Sequence, residues 1–217
     1  MPTVSGNHLL SVHELALPFA NKSESRSISF QLDPGNVVWI KGPSGIGKTT
    51  LLRILARLTA SIRGEVFLNG ISWKDISAVE WRKQVVYLHQ KPVMFGGTVL
   101  DNLKKAFLLR CRVSEKLDLR LAGELVSRLL LDEHTLDKDA RVISVGEGAR
   151  VALIRSLLTN PCILLIDEVT SALDPVSRER VVFLLKEWFS AGTRGIIGVS
   201  HDEQLTGLLP GKEISLS

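Results

Sequence analysis

Gly42-Pro43-Ser44-Gly45-Ile46-Gly47-Lys48-Thr49 decides the fold of this chain: it matches the phosphate-binding pattern G-x-x-x-x-G-K-[ST] at every fixed position and follows an apolar, strand-like run, Val37-Val38-Trp39-Ile40. The glycines let the backbone curl so that several N–H groups face phosphate oxygens, and a helix predicted to begin near Lys48 adds its positive end. Lys48 is expected to bridge the β- and γ-phosphates of a nucleotide. Thr49, with Thr50 beside it, supplies the small hydroxyl that Mg²⁺ takes as a ligand. A glycine-rich turn that only caps a helix is the plain alternative. The strand before it and the apolar helix Leu51-Leu52-x-Ile54-Leu55 after it weigh against that alternative.

Outward from the loop, composition sets bounds. The 217 residues, 45% of them hydrophobic, suffice for one sizeable core. A formal charge of +4 comes from dispersed Lys and Arg with small clusters such as Lys104-Lys105 and Arg110/Arg112. That distribution favours a solvated surface over a nucleic-acid or headgroup patch, and no nucleic-acid partner is expected. Cys111 and Cys162 lie far apart in sequence and fit a reducing compartment; Cys162, opening an apolar run, is expected to be a small buried side chain. The N-terminal residues do not read as a basic-then-apolar leader and no run approaches ~18 apolar residues, so any membrane served is expected to be spanned by another protein.

Strand-like runs are expected at 9–15, 27–32, 37–41 and 65–69, the last ending in the turn pair Asn69-Gly70, and again at 85–88. From 98 to 131 the chain reads as mostly helical. Strands follow at 163–166 and 196–199, with a helix over 175–189 between them. The fold class is therefore α/β: a mostly parallel, doubly wound sheet, with an antiparallel β subdomain near the N-terminus and an inserted helical lobe. Ile163-Leu164-Leu165-Ile166-Asp167-Glu168 is a buried strand that delivers two carboxylates to the sheet edge where such folds bind ligands. Asp167 is expected to hold Mg²⁺ directly or through water. Glu168 is placed to polarise the attacking water.

With these residues assembled, the chain resembles the ATP-binding subunits of ABC transporters from about Leu9 to His201. Ile143-Ser144-Val145-Gly146-Glu147-Gly148-Ala149-Arg150 resembles the ABC signature L-S-G-G-[QE]-x-Q-R. The resemblance implies that Ser144 and Gly146, at a helix N-terminus, meet the γ-phosphate held by the opposite subunit of an ATP-dependent homodimer. Ser144 and Glu147 also read as a local capping box, and both roles can hold. Val145 replaces a glycine and Ala149 a glutamine of the pattern; the β-branched Val145 adds bulk where a partner's nucleotide would lie.

The same resemblance implies that Phe19 stacks on adenine, that Gln90 contacts Mg²⁺ and the attacking water, and that His201 contacts the γ-phosphate. Ser171-Ala172-Leu173-Asp174 resembles the loop at the dimer seam, though Asp174-Pro175 is equally an N-cap followed by proline. The run from Gln90 through Met94-Phe95 to Asn102-Leu103 resembles Q-x-P-x-L-F-x-G-T-V-x-x-N-L, a form commoner in exporters. Met94 and Phe95 either line a groove for a membrane subunit or are buried in the helical lobe. The resemblance implies a single ABC ATPase domain over 1–217, residues about 91–160 including the helical signature lobe, with ATP and Mg²⁺ as cofactors. It implies an export engine on the cytoplasmic face of the inner membrane, beside a separate permease, most like small bacterial iron or metal exporters. The alternatives are a weakly hydrolytic regulatory module, which the altered signature suggests, and a non-transport ABC ATPase, which the lack of a heptad run disfavours.

Overall fold

The computed structural model describes residues 8–17, 27–61, 63–200 and 202–216. Two sheets form the frame. The first is antiparallel, in the order β2-β1-β4-β5, from β1 (Leu10–Ala16), β2 (Ser27–Leu32), β4 (Glu65–Leu68) and β5 (Ile71–Ser72). Along β2 exposed and buried residues alternate, with Ile28, Phe30 and Leu32 turned inward, as expected of a strand with one wet face. The second sheet is parallel, in the order β6-β7-β8-β3-β9. It comprises β3 (Val37–Lys41), β6 (Val85–Leu88), β7 (Ile163–Asp167), β8 (Gly195–Val199) and β9 (Lys212–Ser215).

Every residue of β7 and β8 is buried, because both faces of the parallel sheet are covered. Trp39, Leu164, Ile166 and Ile196 face one core, shared with helices α5 (Val145–Leu158) and α6 (Pro175–Ser190). Val38, Ile40, Leu165 and Ile197 face the other, shared with helix α1 (Lys48–Leu55) and the antiparallel sheet. The Trp39 indole N–H is satisfied by the Leu209 carbonyl at 2.9 Å.

The expected strands at 9–15, 65–69 and 196–199 each shift by a residue or so at their ends, and the Asn69-Gly70 turn joins β4 to β5 with both residues at positive φ. Four elements of the two sheets and their helices were not expected: β5, β9, the short helix α2 (Ala78–Gln84) and a helix at Glu203–Leu208. The stretch 98–131 is mostly helical, as expected, but broken. Helices α3 (Val99–Lys104) and α4 (Leu119–Arg128) are separated by 3₁₀ turns at Lys105–Leu108 and Arg110–Arg112. Leu108, Leu109 and Val113 there are exposed, so no continuous apolar stripe is available to bury against the core. Cys162 is half-buried rather than buried, its thiol 3.8 Å from the Gln84 side-chain oxygen. The last helix, α7 (Glu203–Leu208), precedes β9. No described helix is long and apolar enough to cross a membrane.

Candidate nucleotide-binding site

The phosphate loop leaves β3 and enters α1. Gly42, Gly45 and Gly47 all have positive φ, and Gly47 serves as the cap of α1. Gly42 is required twice over: its φ is +145°, and a Cβ there would lie 2.7 Å from the Leu216 carbonyl oxygen. Lys48 is only 7% exposed, and its ammonium donates to the carbonyls of Gly42 and Pro43 at 2.7 and 2.9 Å. The cation is thus held inside the loop's own curl.

Asp167 ends β7 and is 4% exposed; its Oδ2 accepts a hydrogen bond of 2.8 Å from the Tyr87 hydroxyl of β6. Glu168 follows with φ +49°, a left-handed backbone that costs a non-glycine residue about 1–2 kcal/mol. Its N–H donates to the Val199 carbonyl, while its own carbonyl accepts from the N–H and hydroxyl of Ser171. These bonds fix the turn that aims the carboxylate. The Gln90 amide, beyond the end of β6, donates to Glu168 Oε2 at 2.9 Å. Ser44, Gly45, Gly47, Lys48, Thr49, Thr50, Glu168 and Val199 line one cleft of ≈ 210 Å³. The parallel sheet therefore places the expected phosphate loop, acid pair and glutamine along one edge, after β3, β7 and β6.

The signature segment begins α5. Ser144 caps it: its hydroxyl accepts from the Glu147 N–H at 3.1 Å, and the Ser144 N–H donates to Glu147 Oε2 at 2.8 Å. The bond from the Ser144 N–H first, and then the Ser144 hydroxyl, hold the Glu147 carboxyl below the usual range. Val145 is 61% exposed at the first helical position, whereas Ala149 packs partly against the core. A Cβ on Gly146 would lie 3.1 Å from the Ala172 carbonyl, so the signature abuts the Ser171–Asp174 turn. Asp174 is an N-cap, accepting from the Ser177 N–H at 3.0 Å. Ser144 and Gly146 are outside the lining of the phosphate-loop cleft. Phe19 and His201 lie outside the described residues.

Met94 and Phe95 part company. Met94 packs partly against the core, while Phe95 is 45% exposed and lines a groove of ≈ 650 Å³ with Val86, Leu108 and Leu109. The Lys105 ammonium and Arg155 guanidinium each sit about 5.5 Å from the Phe95 ring. Sequence reading missed Tyr87, the chain's one tyrosine, as a partner of Asp167. Its position three residues before Gln90 carries no signal until the pairing of β6 with β7 is known.

Hard oxygen donors suit Mg²⁺, and the residues present include two of that kind: the Thr49 hydroxyl in the cleft and the buried Asp167 carboxylate at the end of β7. Residues 25–171 match the family model described as ABC transporter. Protein STAR1 of Oryza sativa is 40% identical over 181 residues, 81% of this chain and 50% of that protein. The probable iron export ATP-binding protein FetA of Escherichia coli is 34% identical over 177 residues, 82% and 77% of the two chains. A phosphate import ATP-binding protein of Streptococcus mutans, PstB 1, is 32% identical over 92% of this chain and 85% of its own. Among solved structures, the ATP-binding cassette MJ0796, a dimer in a post-hydrolysis state bound to ADP and phosphate, superposes with a TM-score of 0.81. It is 25% identical, and the match covers 96% of this chain and 94% of that one.

Proposed function

The chain belongs to the ABC transporter family as an ATP-binding, ATP-hydrolysing cassette, and from that premise we propose that it energises export through a separately encoded permease. Two copies close head to tail on ATP, on the cytoplasmic face of the inner membrane. The observation that carries this reading is the cleft shared by the phosphate loop and Glu168, with Gln90 bonded to the Glu168 carboxylate.

In this reading Lys48 exchanges its bonds to the Gly42 and Pro43 carbonyls for the β- and γ-phosphates, a charge-assisted replacement. Residues 42–50 of the loop and helix start bind the triphosphate through backbone N–H groups and the dipole of α1. Thr49, Asp167 and Gln90 would hold Mg²⁺, which when bound neutralises charge on the phosphates. Glu168 accepts a proton from the water that attacks the γ-phosphorus, and the bond to the ADP oxygen breaks. The Gln90 amide holds the Glu168 carboxylate toward that water. Phe19 stacks on adenine and His201 contacts the γ-phosphate. Ser144 and Gly146 meet the nucleotide of the opposing copy.

Export is supported by the run from Gln90 to Leu103, and a metal cargo by the likeness to FetA. The groove at Phe95 receives the permease. A second reading, a regulatory module with weak turnover, is favoured by the exposed Val145 at the signature.

Glu168→Gln tests the core of this reading: it should retain ATP, hydrolyse it at least about a hundredfold more slowly and persist as an ATP-bound dimer. Normal turnover in that variant, measured with its permease, removes Glu168 from the reaction. ATP-driven uptake of Fe²⁺ into inverted membrane vesicles would support export; uptake into right-side-out vesicles would mean import.

A further inference from the structure

β6 and β7 pair in parallel, with Tyr87 opposite Leu165 and Leu88 opposite Ile166. Side chains alternate along a strand, so Tyr87, Leu165 and Asp167 share a face, and Asp167 is Tyr87's diagonal neighbour. The phenol spans that diagonal and donates to Asp167 Oδ2 at 2.8 Å. A carboxylate can only accept, so the phenol is the donor of this bond. Two residues on, the His89 ring stands edge-on to Tyr87 at 5.9 Å, and its Nδ1 accepts from the Lys91 N–H at 3.0 Å. Tyr87 therefore joins Asp167 to the start of the loop that carries Gln90.

We infer that Tyr87 is a positioning residue: its hydroxyl commits one Asp167 oxygen to the sheet and leaves the other presented to a divalent cation. A carboxylate turns easily about its last torsion, and a fixed donor on Oδ2 removes that freedom before a cation arrives. The inference rests on the assignment of Asp167 to the cation given under the proposed function.

Tyr87→Phe keeps the ring and deletes the hydroxyl. Manganese binding should be followed by electron paramagnetic resonance on the full chain with a non-hydrolysable ATP analogue, and nucleotide affinity in EDTA by titration. Loss of one hydrogen bond to a charged acceptor should raise the Mn²⁺ half-saturation about tenfold, with affinity in EDTA within about twofold. An unchanged or lower half-saturation overturns the inference. A second route is the double-mutant cycle: in an Asp167→Asn background, removing the hydroxyl should have no further effect on Mn²⁺, and a second loss of equal size overturns the inference. Asp167→Asn alone leaving Mn²⁺ binding unchanged would instead refute the role given to Asp167, a failure distinct from that of Tyr87.

Discussion

Replacing Val145 by glycine should tighten the ATP-bound dimer. Val145 is the first residue of α5, and its side chain is 61% exposed, so it packs on little of its own chain. Ser144 and Glu147 close the cap on either side of it, at 3.1 and 2.8 Å, and neither bond involves the Val145 side chain. The substitution should therefore cost well under ~1 kcal/mol of fold stability, as expected for glycine at a helix end. In the proposed dimer, the isopropyl group would stand where the opposing nucleotide approaches the helix N-terminus. One charge-assisted hydrogen bond lost there is worth about 1.5–3 kcal/mol. A symmetric dimer has two such seams, so the lower figure doubled, about 3 kcal/mol, is about a hundredfold in dimer dissociation constant. The measurement is sedimentation or light scattering across a protein titration with ATP, in a Glu168→Gln background so that turnover does not empty the seam. A dissociation constant unchanged or higher in Val145→Gly, with an unaltered melting temperature, refutes this reasoning and with it the main support for the regulatory reading. Adding Ala149→Gln should contribute less, because Ala149 packs partly against the core and a longer side chain must first find its way out.

Lys48→Ala should lower ATP affinity by more than about tenfold in a calorimetric titration, since the loop loses its cation; unchanged affinity would remove Lys48 from the site. Gly198→Ala tests the sheet itself: a Cβ would lie 2.4 Å from Trp39 Cζ3 and 2.9 Å from Ile166 Cγ1. Overpacking of this kind costs about 1–3 kcal/mol, a fall of roughly 2–12 °C in melting temperature for a chain this long. An unchanged melting point would show that the sheet yields at that contact.

What was legible in the sequence was the chemistry that needs a fixed spacing along the chain. The phosphate loop, the acid pair after 163–166 and the S-x-x-E cap are local patterns, and the structure forms each where the spacing puts it. β9 escaped because its residues Lys212 to Ser215 are mostly exposed on a sheet edge, so no apolar alternation marks them; pairing with β3 makes them a strand. Helix α2 buries Trp81 alone, too little periodicity to recognise even with Ser77 as its cap. The Tyr87–Asp167 bond was invisible for a stronger reason. It joins residues eighty positions apart, and only the register of two strands brings them together.

The left-handed backbone at Glu168 carries a consequence for how such a chain could change over generations. Asparagine, aspartate and glycine enter that conformation most cheaply, while β-branched residues are strongly disfavoured there. Lineages losing hydrolysis through this position would therefore pass first through the short polar residues or glycine, which blunt the acid and keep the turn. With Glu168 as the proposed base, fold and nucleotide binding would outlast catalysis, and a descendant that still grips ATP but no longer hydrolyses it would lie a single substitution away.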